Sequence, residues 1–562
     1  MGATIQSERS DDIPFILYWL KQMKIQSIVD AHCPPVHGNW QGLSYGQLTV
    51  LLLVYMMSQS DHRICVVAAW VKAHHQTLES CSGWTITHHD ASDDRLALVL
   101  ERLAEYSAAQ EGIEVDLAEH LIEAYALPTK VARSDTTSFS VYHQPATQEA
   151  DASSLLQYGH SKDHRPDLRQ YRYELSTLDP MGMPMAAQVL PGNGADDPLY
   201  VRSWQRLRQV IGHSDFLMVG DCKASALATR AQIQQQGGLY CFPLAETGLT
   251  PTMLKQWVLE PPTAKQWIRL PSQNEDELPL GVGFEMVMGK RWQDDDENWL
   301  NWEERHLVVH SYAVAQKELD RFNDRLQKAD DALAKLAAKP VQKACELERK
   351  ANAIVKRYRL SDCFELKVQS SSLSLGKANV ADIPCVTSES PTPWFLLHYQ
   401  QLPEAIAQTQ LLMGWRIYLT NTPVEQLSLN QALDYYRGQW SIERGFHRFK
   451  RGHLPALPVY FRNETRIAGL MFVLSIALRL FCLLEYVVRR ALKATDAKLA
   501  GLYHGNPKRT TNHPTTEALL KVFHDITWYR LPDGSTQITP LNALKQKVLA
   551  LMNVPQSIYG FN

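Results

Sequence analysis

The spacing of apolar residues changes near Ala132, and that change limits the folds open to this chain more than any other feature. Before it, residues 12 to about 125 carry apolar side chains at helical intervals in IPFILYWLKQM, LTVLLLVYMM, CVVAAWVKAH and LALVLERLAEY, with no sustained alternation of period two. A helical N-terminal domain over residues 1–125 is therefore expected. After it, extended segments follow one another, ARSDTTSFSVY, YRYELSTL and PMAAQVLPG, separated by the turn chemistry of PMGMP and PGNGADD. Helix and strand then alternate through LYVRSWQRLRQVI, DFLMVGD, ASALATRAQIQQQ and LYCFPL. Three strands followed by such an alternation specify an α/β fold built on a mixed sheet.

The alternation stops near residue 250. Residues 251–400 begin with strand-and-turn sequence containing Trp292, Trp299 and Trp302. They continue with two charged helical stretches, Ala313 to Ala338 and Val341 to Arg357, separated by Pro340. The strand CFELKVQ and the Ser/Pro-rich SESPTP lead back to WRIYLTN, which resumes the sheet. The expected organisation is a core in two parts, 126–250 and 401–495, an α/β insertion at 251–400 and a C-terminal region at 496–562. A chain of 562 residues is too long for one ordinary core.

Composition excludes some functions. With 45% apolar and 21% charged residues the chain is globular rather than disordered. Its formal net charge of −3 gives no global attraction to nucleic acid, so such a partner must be held by local Lys and Arg clusters. The nine cysteines show no CxxC pair, which favours a reducing compartment. The start MGATIQSERSDD has no apolar signal-like stretch, and a cytoplasmic location is expected. Residues 467 to 488 are apolar enough to imitate a membrane span but include Arg479 and Glu485, so a buried helix is expected and no membrane partner. His32, His37, His74, His75, His88, His89 and Cys33 match no zinc-finger spacing.

Three acids stand out against this plan. Asp135 lies in ARSDTTSFSVY, Asp221 in FLMVGDCKAS and Glu443 in YYRGQWSIERGFHRFK. The first two sit on strand-like runs, Asp221 at a strand's C-terminal end, where α/β sheets commonly bind ligands. Around the third, Tyr436, Gln439, Glu443 and Lys450 are spaced by 3, 4 and 7 residues, which puts them on one stripe of a continuous helix. Arg444, His447, Arg448 and Arg451 add positive charge beside it. Carboxylates gathered this way suit two hard cations such as Mg²⁺, with Mn²⁺ an acceptable substitute. Such ions activate an attacking water or 3′-hydroxyl and stabilise the leaving oxygen in phosphodiester hydrolysis and transfer.

With DTTSFSVY, YGHSKDHRPDLRQ, MAAQVLPGN, VGDCKAS and YYRGQWSIERGFHRFK in this order, the chain resembles bacterial insertion-sequence transposases of the DDE class, in the branch with a Tyr, Arg, Glu, Lys signature on the last catalytic helix. The resemblance implies an RNase H-like core and makes Asp135, Asp221 and Glu443 the metal-binding catalytic acids. It makes Tyr436 and Lys450 contacts to phosphates of the transposon end. Gln439 stands where the signature has Arg and cannot grip phosphate with charge, and Arg437 lies about 200° away around a helix. The resemblance also implies that the insertion shapes DNA at the cleaved end, which makes Trp292, Trp299 and Trp302 candidates for stacking a flipped base.

Lys162, Arg165 and Arg169 lie in a polar loop just before a strand that is expected to contact phosphate if it lies beside Asp135, with His447 and Arg448 expected as further DNA contacts. The insertion helix KELDRFNDRLQKADDALAKL mixes both signs and reads as exposed or self-associating rather than as a DNA patch. The implied function is cut-and-paste transposition by a homodimer assembled on DNA, acting on terminal inverted repeats and target DNA at the bacterial nucleoid. The N-terminal domain would place a helix in the major groove of the repeats. A catalytically silent, transposase-derived DNA-binding protein is the alternative.

Overall fold

A computed structural model describes residues 5–142, 154–195, 198–248, 250–269, 273, 276–371, 394–503 and 505–560; SESPTP and part of PGNGADD lie outside them. The chain forms two compact units. Met1–Phe242, Lys290–Trp302 and Ala432–Asn562 make the first, and Pro243–Gly289 and Glu303–Gln431 the second.

The first unit holds five neighbouring strands: β1 (Val131–Val141), β2 (Arg169–Leu178), β3 (Met183–Pro191), β4 (Leu217–Val219) and β5 (Leu239–Pro243). Their order is β3-β2-β1-β4-β5, antiparallel through the first three and parallel across β1, β4 and β5. Helix α1 (Leu199–Ile211) makes the crossover between β3 and β4. A mixed sheet of this kind fits the expected RNase H-like α/β core.

The second part of the core supplies α2 (Leu429–Arg437), α3 (Trp440–Lys450) and α4 (Glu464–Ala494). α4 is the helix that could be mistaken for a membrane span; 94% of its most apolar window is buried inside the protein. Its charges explain how it tolerates that position. Arg479 is fully buried and donates to the Pro184 and Met185 carbonyls at 2.9 and 2.8 Å, and its guanidinium lies 3.4 Å from the buried Glu114 carboxylate. At Gly469 an added Cβ would fall 2.0 Å from the Leu100 carbonyl oxygen, so glycine lets α4 approach the helix Asp93–Glu105 closely.

Two expectations are corrected. The N-terminal region is helical but not all-α: Gln6–Arg9 is a strand paired antiparallel with Thr527–Arg530 near the C-terminus. The polar QSER has no apolar face to bury, so its backbone groups find their partners in a ladder instead. Also, Tyr436 and Glu443 do not share a continuous helix, because α2 ends at Arg437 and α3 begins at Trp440. Gly438 marks the break, with the Gln439 amide turning back to the Tyr436 carbonyl at 3.2 Å in a tighter turn than an α-helix makes.

In the second unit, Trp415–Thr420 pairs antiparallel with Arg305 to His310. A separate hairpin, Phe364–Ser371 with Trp394–Gln401, contributes Phe364 and Leu397 to a small core. The helices Tyr312–Ala337 and Ala344–Arg357 fill it with Phe322, Ala329 and Leu333 and with Leu347, Ala351 and Val355, each set at helical spacing.

Candidate active site

Every residue of β1 is buried except Asp135, which is half-buried, so the strand offers a single carboxylate at its surface. β1 and β4 pair in parallel as far as Arg133 opposite Val219, and Asp135 and Asp221 each lie two residues beyond those partners. Adjacent parallel strands therefore deliver both acids to the same end of the sheet. Asp135 Oδ2 faces the Gln439 amide nitrogen at 3.5 Å, and Oδ1 lies 4.0 Å from the Lys162 ammonium. Lys162 is itself held by the Thr136 hydroxyl at 2.9 Å and the Thr136 carbonyl.

Asp221 is positioned by a residue that sequence reading missed. Tyr200, 3% exposed on α1, donates its hydroxyl to Asp221 Oδ1 at 2.6 Å, and the Lys223 amide donates to the same oxygen at 2.9 Å. The tyrosine reaches over because residue 220 is glycine: a Cβ there would meet the Tyr200 ring at 3.3 Å and Ala224 at 3.2 Å, tighter than ordinary contact. Nothing in LYVRSWQRL distinguishes this tyrosine from any other core-facing position of an amphipathic helix.

The turn that leads into the Glu443 helix is tied to β1. Arg133, fully buried on β1, pairs with Asp179 and donates to the Tyr435 carbonyl at the end of α2. Its guanidinium occupies the space a side chain at 438 would need, with a Cβ there only 2.4 Å away. One turn past Gln439, the Glu443 amide donates to the Gln439 carbonyl at 3.3 Å. Glu443 itself is exposed.

The cations around the third acid divide sharply. Arg448, expected to contact DNA, is 3% exposed and pairs with Glu485 on α4 and with Glu517 at 2.8 Å. It holds α3 in place, and the DNA role is corrected. Burial alone would lower its pKa, but Glu485 and Glu517 together raise it, so it stays charged. Arg444 joins the same Glu485 carboxylate, which also accepts from Arg489 at 2.9 Å. Glu517 is drawn down to about 2 as Arg448's hydrogen bonds and charge overcome the opposing effect of burial.

The remaining candidates fall in different places. His447 is exposed on α3, and Tyr436 is half-buried near the end of α2. Lys450, two turns beyond Glu443, pairs with Asp163 at 2.9 Å. Arg165 pairs with Asp167, and Arg169 stacks over the Tyr158 ring. Trp302 is corrected as a stacking candidate: it is 7% exposed and its indole donates to the Tyr240 hydroxyl at 3.0 Å. Trp292 is half-buried. Trp299 is 51% exposed, with the Arg291 guanidinium 3.6 Å from its ring centroid.

Among the described residues no three His, Cys, Asp or Glu side chains are grouped as a ready metal site, so the expected three-acid set is not drawn together. The donor chemistry still fits a hard divalent cation: two carboxylates each two residues past the last β1–β4 pair, with a third exposed on a helix whose first turn follows Gln439, which faces Asp135.

A family described as transposase DDE domain matches residues 134–480, a span that starts one residue before Asp135 and contains Asp221 and Glu443. The match covers more than half of the chain, which belongs to this family. It is thus a transposase of the DDE type, a protein of DNA transposition and recombination that acts on DNA. A comparison with curated proteins finds no match.

Proposed function

We propose that this chain is a bacterial insertion-sequence transposase of the branch with the Tyr, Arg, Glu, Lys signature, working by cut-and-paste with Asp135, Asp221 and Glu443 as its metal-holding acids. The observation that carries this reading is that Asp135 and Asp221 each lie two residues past the last pair of the parallel strands β1 and β4, with Gln439, the residue that begins the Glu443 helix, facing Asp135. Two Mg²⁺ ions bound there would supply Lewis-acid activation and neutralise charge on the leaving oxygen. The protein's own residues do the rest. Tyr200 fixes the Asp221 carboxylate, leaving its second oxygen to ligate. Lys162 brings a positive charge beside Asp135, where a scissile phosphate would sit.

In this reading Tyr436, Lys450, His447, Arg165 and Arg169 line the path of the transposon end, and Lys450 and Arg165 exchange their present carboxylate partners for phosphates. Gln439 contributes an uncharged contact. Trp299 is the stacking platform for an unpaired base, which would displace Arg291 from its ring. The N-terminal helices recognise the inverted repeats, two copies assemble on the paired ends, and the work takes place at the nucleoid in the cytoplasm.

The test uses purified protein, Mg²⁺ and labelled DNA flanking its own gene. Asp221→Asn is expected to lower cleavage by about 10³-fold or more while end binding persists. Cutting at the wild-type rate by this variant would overturn the assignment. End binding without cutting by the wild-type protein would favour the silent, transposase-derived alternative.

A further inference from the structure

The insertion carries no basic run in sequence, yet folding gathers arginines from two helices of it and from the strand that follows it. A groove of about 740 Å³ within the second unit is lined by Arg321 and Arg325 of the helix Tyr312–Ala337, Arg357 and Arg359 at the end of Ala344–Arg357, and Arg416 of the strand Trp415–Thr420. Three carboxylates share the groove, and each already has a partner. Asp324 pairs with Lys328 at 2.7 Å. Glu246 pairs with Arg416 at 2.8 Å, and Glu318 with Arg416 and the Gly414 amide. Arg325 is likewise engaged, donating to the Tyr358 carbonyl at 3.2 Å.

Arg321, Arg357 and Arg359 remain exposed, and among the described residues no carboxylate pairs with any of them. Arg359 sits at a helix end with φ 56°, in the left-handed region where glycine is the usual choice. Its backbone closes the helix, with the Leu360 amide donating to the Val355 carbonyl at 2.8 Å. Glycine would close this turn with less strain but would bring no guanidinium to the groove.

We propose that this groove is a DNA-backbone site of the insertion, in which the forked guanidinium groups of Arg321, Arg357 and Arg359 hold phosphodiester oxygens of duplex DNA. It is separate in sequence from all three acids, and because contacts to phosphate oxygens carry no sequence information, it binds without regard to sequence. The polyanion's identity rests on the transposase reading; the arginine cluster itself does not.

The experiment titrates full-length protein with labelled duplex over a range of salt concentrations. Arg321→Ala/Arg359→Ala should weaken binding about tenfold near physiological salt and make the plot of log affinity against log salt shallower by about two units, equally for end and unrelated sequences. Arg359→Lys should keep the slope. Arg359→Gly should lose about one unit of it while raising the unfolding midpoint, which separates charge from fold. Unchanged affinity and slope in the double variant overturn the proposal, as does a change in self-association with DNA binding intact. Asp221→Asn should retain the full salt slope, so failure of the catalytic assignment and failure of this one are read independently.

Discussion

Two helices of this protein look alike in sequence and are built for opposite purposes. α3 and the insertion helix Tyr312–Ala337 are both amphipathic, and both carry arginines at helical spacing. In α3, Arg444 and Arg448 turn inward to Glu485, a carboxylate with no exposed surface. In the insertion helix only Phe322, Ala329 and Leu333 are buried, and Arg321 is left at the surface. What differs is the partner across the interface. α4 presents a buried acid that must be neutralised, whereas the insertion core presents only apolar groups. A cation beside a candidate metal-holding acid is therefore not thereby a DNA contact, and a mixed-charge helix is not thereby inert.

The sharpest way to break this contrast is Glu485→Ala. Removing the acid leaves Arg448 buried with a lost partner and releases Arg444 and Arg489, so destabilisation of about 3–5 kcal/mol is expected in denaturant unfolding. A loss below about 1 kcal/mol would mean that water or Glu517 replaces it, and that the inward arginines are not what fixes the Glu443 helix.

A smaller effect should appear with pH. Glu517, folded, titrates at about 2, below its ordinary value of 4.5. Its contribution is therefore fully present above about pH 4.5 and is lost as pH falls toward 2, on the order of 3 kcal/mol in all. Glu517→Gln should flatten that part of the stability curve relative to the unmutated protein, measured as urea midpoints across the acid range. Parallel curves would show that Arg448 draws its stabilisation from Glu485 alone.

The same contrast explains what could be read in advance. The strands around Asp135 and Asp221 were legible because an extended run rich in β-branched residues and a compact apolar run stopped by Gly-Asp leave marks in composition and turn chemistry. The α4 helix was legible as buried because Arg479 and Glu485 are too costly to place in lipid. Arg448 was misread because sequence spacing shows which residues share a face and not what that face meets. Trp302 was misread as a possible platform for the same reason, its partner Tyr240 lying 62 positions away. The continuous Tyr436-to-Lys450 stripe failed at Gly438, where a buried arginine from β1 fills the space of a side chain and accompanies a break that helical periodicity alone does not reveal. Tyr200 and the arginine groove could not be read because both depend on contacts between distant segments.

The smallest expected effect tests the outer side of the comparison. Lys328 and Asp324 form an i,i+4 pair at 2.7 Å on the insertion helix, with both side chains more than half exposed. Hydrogen bonding to Asp324 raises the lysine pKa, but in solvent such a pair exchanges one hydrated arrangement for another and is screened by salt. Lys328→Ala should leave the unfolding midpoint unchanged within error. It should also weaken duplex binding slightly, because Asp324 loses its partner and its carboxylate becomes free to compete for Arg321 and Arg325 across the groove they share. Unchanged DNA affinity on the same substitution would place Asp324 outside the field of those arginines.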